Sequence, residues 1–478
     1  MLLGVFGGVF LVTKQETELK EGILEAIDRA KALSKPVLVS EVQQINHIDP
    51  LTFFTAGVEG FFGERFFWKD PSEETFIIGM GICNQIQSDQ AAGRFFHVEN
   101  EWKRLIKDAI IFNRFNLNGI GPLMFGGFSF DPLKEKTKLW SKYSDSLFHI
   151  PTFMYSVIQG KAFLTTNIIC TQHDDHTLVE IINKEKNALF SSIIDAKKQD
   201  GHQLVKEIEI NPAEWKETVS SVVKELKQGP LEKVVLARET RLIYDKQVEV
   251  ENVLELLLKQ QQDSFIFAFE SNGDCFIGAS PERLVKKTGN NLFTTCLAGS
   301  IARGKTKDED QMLGEELLND PKNLIEHQYV VQMIKEAMEE VCEEVSLPKE
   351  TNLLKMRDIQ HLYTPVAGVA KEDTSLLLLV DRLHPTPALG GLPKQEAVEK
   401  IREVEELDRG FYGAPLGWVD YQDNGEFAVS IRSGLIQKDE ASIFAGCGVV
   451  KDSNADSEYI ETKIKFRPML TALGGNNK

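Results

Sequence analysis

Two hydrophobic rhythms alternate along the chain, one of two residues and one of three to four, and the switches between them outline its elements. Residues 15–34 place Ile23, Leu24, Ile27, Ala30 and Leu33 near helical spacing among acids and lysines, which predicts a surface helix. The glycine- and phenylalanine-rich stretch 52–83 contains RFFWKDPSEETFIIGMG, predicting two strands joined by a turn at Asp70-Pro71-Ser72. Strands are also expected in 123–132 and in 153–168, the latter with a Gln159-Gly160 turn, and helices at 100–114 and 176–197. Periodicity is lost in the polar run 196–203, the expected linker between an N-terminal half, 1–204, and a second region, 205–478.

That second region opens on a well-signed helix, with Asn211 as cap, Pro212 just inside, and Trp215, Val219, Val222 and Val223 on one side. LEKVVLARETRLIY then reads as a strand, and FIFAFESNGDCFIGAS as a hairpin turning at Asn272-Gly273. This hairpin echoes the earlier one: aromatic strand, polar turn, and a second strand containing F-I-(I)-G. Two topologically similar halves packed together would account for the echo. Helices are expected at 308–319, 323–345, 393–407 and 455–466, and strands at 413–421, 426–435 and 441–450. The class is α+β, rich in antiparallel pairs, rather than a βαβ array.

Composition narrows the function. With 478 residues and 42% apolar content the chain can bury a large core. Its 54 basic against 72 acidic residues, a net charge of -18, exclude a general nucleic-acid binder, which needs a basic stripe. Six scattered cysteines without a C-x-x-C pair read as buried small hydrophobes of a reducing compartment, not as a disulfide framework or zinc site. The apolar start, MLLGVFGGVFLV, is too short to span a bilayer and lacks a basic flank and cleavage site. It reads as an edge strand or a misplaced translation start, and the expected location is cytoplasmic, with no membrane partner.

The short nucleotide, hydrolase and zinc motifs are missing, so the chemistry must lie in charges set among apolar residues. Lys233 opens an apolar strand. It is either a partly desolvated base, its pKa moved toward neutrality, or an edge-strand gatekeeper. Glu326 lies four residues before Val330 and eight before Ile334, on an apolar helix face where a carboxylate needs a metal or cation partner. Glu458, Glu461 and Lys465 share one face of the last helix, as a solvated ion-paired stripe or as part of a site. The preceding FAGCGVV strand, with Gly446, leaves space and backbone N–H groups for an anion. Glu282, in the turn GASPERL, is a first-turn acid or a positioned proton donor. His327 points about 100° around the helix from Glu326, and His384 lies in a proline- and glycine-punctuated loop.

The segments EKVVLARE, FIGASPERLV, LAGSIARG, LIEHQYVV, LHPTPALGG, DRGFYGAPLGW, FAVSIRSG and AGCGVVKDSNADSEYIETKIK resemble the chorismate-utilising enzymes. That family comprises isochorismate, salicylate, anthranilate and aminodeoxychorismate synthases. The match runs from about 205 to 470 in the family's motif order, and the first 200 residues resemble it only loosely. The resemblance implies one large unit of two layered antiparallel sheets with outer helices. It also implies water as nucleophile: Lys233 stands where the anthranilate type has glutamine, and Ala298 where aminodeoxychorismate synthases carry a nucleophilic lysine. Carried over, Lys233 is the general base activating water at C2 of chorismate, and Glu282 the general acid for the C4 hydroxyl. Glu326 and Glu461 hold Mg²⁺, which Glu458 reaches through water. Arg432, Lys465 and Gly446 grip the enolpyruvyl carboxylate, and Ala298, Gly299 and His384 line the pocket. The expected activity is an isochorismate synthase, of menaquinone type before siderophore type, with no obligatory amidotransferase partner. A salicylate synthase, an anthranilate-type subunit and an inactive scaffold are the rivals. Oligomeric state is not readable.

Overall fold

The two hairpins that echo each other in sequence lie edge to edge at the centre of the fold. Arg65–Lys69 pairs antiparallel with Phe265–Ser271, placing Phe67 opposite Ala268, and each strand continues into its own hairpin partner, Thr75–Ser88 or Asp274–Ser280. Asn272 and Gly273 both take positive φ, 50° and 85°, as the predicted two-residue turn requires. The computed structural model describes residues 14–195, 201–357 and 359–475. The apolar first twelve residues and most of the expected linker lie outside them.

From that centre one sheet spreads both ways. On one side Thr75–Ser88 pairs with Ser146–Ile158, then Lys161–Cys170, then Val37–Ile45, which ends in a parallel pairing with Ile110–Phe112. On the other, Asp274–Ser280 pairs with Ser433–Gln437, then Glu440–Val450, then Lys233–Tyr244. A second sheet branches from the early part of Ser146–Ile158. It runs through Leu123–Phe128, Pro415–Asp420, Gly425–Val429, Arg283–Thr288 and Asn291–Ala302 to Ile359–Ala370. Each sheet therefore joins a block of strands from before residue 204 to a block from after it, at a single pairing: Arg65–Lys69 with Phe265–Ser271 in the first, Leu123–Phe128 with Pro415–Asp420 in the second.

Period-two alternation sorts the strand side chains into layers. Phe66, Trp68, Phe265, Phe267 and Phe269 of the first sheet meet Phe125, Leu416 and Trp418 of the second in an aromatic core between the sheets. Phe66 stacks on Phe125 at 4.4 Å across that layer. The intervening residues, Phe67, Ile266 and Ala268, face outward into a core closed by helices Lys14–Leu33, Val250–Gln260 and Ala455–Ala472. The second sheet's outer face is covered by Arg94–Lys107, Pro321–Val341 and Leu376–Leu383. Two layered sheets with outer helices are what the resemblance implied.

Several boundaries move. The helix expected at 100–114 forms at Arg94–Lys107, started by Gly93 at φ 66°, and Ile110–Phe112 becomes strand. Pro321–Val341 stops short of 345, because Cys342–Ser346 pairs with Ile359–Ala370. Asn211 precedes its helix, but at φ 43° its side chain donates to Glu406 instead of capping. The strand expected at 426–435 breaks at Arg432, φ 52°, so Gly425–Val429 stays in the second sheet while Ser433–Gln437 joins the first. Asp274–Ser280 and Arg283–Thr288 make the same crossing at Pro281-Glu282.

Candidate functional site

Both sheet crossings open into one cavity of about 350 Å³, a volume suited to a small molecule. The crossings are tied together: Val429 N–H donates to the Glu282 carbonyl at 3.0 Å, and Ala279 N–H to the Arg432 carbonyl at 3.0 Å. Glu282 and Arg432 thus face the cavity from a seam where neither sheet continues. Lys233 enters from the first residue of its strand, Glu326 from helix Pro321–Val341, and Glu458, Glu461 and Lys465 from helix Ala455–Ala472. Ala298 and Gly299 form a bulge, where the register slips between Leu297 and Ser300 and Gly299 takes φ 78°.

Lys233 is buried and flanked on both sides, by Val450 and by Leu392, so it is no edge gatekeeper. Its side chain lies over Gly448 of the neighbouring strand, where a Cβ would sit 2.7 Å from Lys233 Cε. Its Nζ meets Glu326 Oε1 at 2.5 Å, and this is the cation partner that the apolar setting of Glu326 demanded. Burial pushes the Glu326 carboxyl up, but the charge and hydrogen bond of Lys233 outweigh it and leave it below its ordinary value.

Glu282 is the opposite case. Burial raises it from 4.5 to about 7, against the pull of Lys233, Arg432 and Lys465. A carboxyl poised near neutrality beside three cations can donate a proton. Lys465 pairs with Glu461 at 2.6 Å and donates to the Gly446 carbonyl at 2.9 Å, so Gly446 presents a carbonyl to that lysine. Burial raises Glu458, and the charge of Glu461 adds to the rise.

His384 does not line the cavity. It is buried between Phe95 and Phe130, its Nε2 bound to the Phe130 carbonyl at 3.0 Å, and burial drives its pKa well down. The proline- and glycine-rich loop brings Ala388 and Leu389 to the pocket instead. His327, turned from Glu326 as expected, holds the bulge from behind through Ala298 O at 3.2 Å and Thr364 Oγ1 at 2.8 Å. The residue patterns had not pointed to His361, Ser300, Asn323 or Tyr412, all of which line the cavity. His361 Nδ1 lies 2.6 Å from Ser300 Oγ, and burial, then Arg432 and Lys465, hold it down to about 3. Its only sequence signal is a polar residue in an apolar strand, IQHLYTPVAGVA, whose partner lies some sixty residues away.

Besides Glu282 the cavity carries the carboxyls of Glu326, Glu458 and Glu461, but among the described residues no three metal-ligating side chains converge into a ready-made cluster. The donors are nonetheless hard oxygens, and Mg²⁺ commonly takes one or two carboxylates with waters and substrate rather than a full protein cage. Glu458, raised first by burial and then by the charge of Glu461, is a carboxyl whose ionised form a bound cation would favour. The residue set fits the ion.

Residues 25–474 match the chorismate binding enzyme family. Isochorismate synthase MenF of Bacillus subtilis is 42% identical over 472 residues, 98% of this chain and 100% of that one. The salicylate biosynthesis isochorismate synthase of Pseudomonas aeruginosa is 34% identical over 465 residues, 94% of each chain. The solved structure of MenF, the menaquinone-specific isochorismate synthase of Escherichia coli, superposes with a TM-score of 0.75 at 23% identity, covering 96% of this chain and 100% of that one, a likeness of fold.

Proposed function

The chain belongs to the chorismate binding enzymes, and from that premise we propose that it is an isochorismate synthase of the menaquinone type. The full-length relatedness to such an enzyme supports the activity. The observation that carries the chemistry is the contrast between Glu282, held protonatable near 7, and Lys233 in the same pocket. Water adds at C2 of the ring, the double bonds shift, and the C4 hydroxyl departs as water. Lys233 is the side chain that takes the proton of the attacking water, parting from Glu326 as it does so. Glu282 delivers one to the C4 oxygen, because hydroxide is a poor leaving group. Arg432 and Lys465 bind carboxylate of the dianionic substrate. Ala298 and Gly299 shape the wall by the bulge. Glu326 and Glu461 are the side chains that would hold Mg²⁺, with Glu458 behind a water, and the ion when bound neutralises the ring carboxylate.

The nucleophile is water, so no amidotransferase partner is required. Six free cysteines suit a reducing cytoplasm, and among the described residues no helix is long and apolar enough to cross a membrane. The test is product identity by chromatography with chorismate and Mg²⁺. Isochorismate alone is expected, and chelator should abolish its formation. Salicylate with pyruvate, or anthranilate when ammonia is supplied, would replace this reading by one of its rivals.

A further inference from the structure

The strand that carries Lys233 lacks a continuous neighbour on one side. Gly391–Leu392 covers it at Lys233 and Val234, and Leu204–Glu209 covers it only from Thr240 onward. Between them, side chains take the place of a strand. Arg409 Nη2 donates to the Val235 carbonyl at 2.7 Å, Ala237 N–H donates to Glu405 Oε1 at 2.7 Å, and Trp215 Nε1 donates to the Ala237 carbonyl at 3.1 Å. Arg409 also donates through Nη1 to the Leu389 carbonyl at 3.1 Å and through Nε to Glu405 Oε2 at 2.8 Å. Both members of the pair are only 3% exposed.

This network touches the reaction at second hand. Val235 and Leu389 line the pocket, and Val235 lies two residues from Lys233 on the same strand face. The guanidinium therefore ties the base-bearing strand to the adjacent segment that ends in Gly390–Leu392, whose Gly390 carbonyl accepts from Val235 N–H at 2.9 Å, while the guanidinium carbon rests 4.2 Å from the centre of the Phe130 ring. His384 fixes Phe130 from the far side through its carbonyl. We propose that Arg409, oriented by Glu405, is a positioning residue for Lys233: by holding the Val235 and Leu389 carbonyls together where no strand covers the edge, it fixes the stretch of backbone from which Lys233 reaches into the pocket. A lysine at this position keeps the charge but cannot reach Glu405, Val235 and Leu389 at once, because it lacks the planar fork.

This inference rests on the isochorismate synthase reading, and its test separates the two. Arg409→Lys, Glu405→Gln and a control, Arg65→Lys, are compared with the wild type in full-length protein. Arg65 sits in a buried ion pair with Glu270, 2.5 Å apart, that lines a different cavity. Melting temperature, KM for chorismate and kcat per folded molecule are measured. Arg409→Lys should lower kcat by about tenfold to a hundredfold with KM unchanged, as expected for a displaced reacting group. Glu405→Gln, which keeps an acceptor for Ala237, should show a smaller loss of the same kind. Arg65→Lys should lose melting temperature alone. Arg409→Lys with wild-type kcat overturns the positioning role, and so does failure of both Arg409→Lys and Glu405→Gln to fold while Arg65→Lys folds. A wild-type chain that forms no isochorismate overturns the parent reading and this one with it.

Discussion

Replacing Glu282 by glutamine should make the protein more stable and nearly inactive, and both effects have one cause. In the native state burial lifts this carboxyl from 4.5 to about 7. An unfolded chain ionises it near 4.5, so between the two values the folded state binds one more proton and stability falls as pH rises. The gap, at about 1.4 kcal/mol per pH unit, amounts to about 3 kcal/mol of destabilisation present above pH 7 and absent below 4.5. Glutamine cannot ionise and escapes that penalty. In denaturant titrations Glu282→Gln should match the wild type at pH 4.5 and exceed it by up to about 3 kcal/mol at pH 8. Loss of the proton donor should lower kcat by about 10²–10⁴. In the wild type kcat/KM should fall above about pH 7 as the free enzyme's Glu282 ionises. The limb in kcat should lie higher, because bound carboxylates offset the Arg432 and Lys465 charges that hold this carboxyl down. A variant with activity within tenfold of wild type, or a stability gain that does not grow with pH, would refute the assignment of Glu282 as a buried acid.

Lys233→Ala should fold and still bind Mg²⁺ and chorismate in calorimetry, yet lose water addition by about 10²–10⁴; near-wild-type turnover would sink the base assignment. Gly448→Ala should leave stability within about 1 kcal/mol, since its Cβ meets a flexible lysine stem and not backbone, but lower kcat by displacing Lys233. An unchanged rate would show that the lysine's path over Gly448 does not matter. His384→Leu should cost about 1–3 kcal/mol by leaving the Phe130 carbonyl without its donor, with KM for chorismate unaltered. A raised KM would restore His384 to the pocket wall.

Much of this was readable from the residues. Alternation located both hairpins and even hinted at their kinship, because aromatic side chains filling one shared layer impose the same pattern on each. Lys233, Glu282, Glu326 and the Glu458–Lys465 stripe stood out as charges where apolar residues prevail, and the fold gathers all of them around one cavity. What escaped depends on register and on backbone turns. The break at Arg432 interrupts a run that alternates without a pause, since a φ of 52° leaves no trace in hydrophobicity. The bulge at Ala298–Gly299 and the arrival of His361 beside Ser300 follow from a pairing between 291–302 and 359–370 that no local pattern announces. His384 was misplaced because a loop rich in proline and glycine resembles a ligand loop, whereas its polar atom answers a backbone carbonyl in the core. The helix Leu376–Leu383 leaves no clear pattern, its leucine run being too short for periodicity to separate helix from strand.

Every residue lining the catalytic cavity lies at or beyond Lys233, yet the described residues 14–195 are not dispensable. Arg65–Lys69 covers one edge of Phe265–Ser271, and Leu123–Phe128 covers one edge of Pro415–Asp420. Made alone, the second half would carry two open rows of unpaired N–H and carbonyl groups, with the aromatic faces of Phe267 and Trp418 bare beside them. Such edges recruit strands from any chain at hand. The N-terminal half thus closes both edges within the same chain, one of them with a hairpin that echoes the strands it covers.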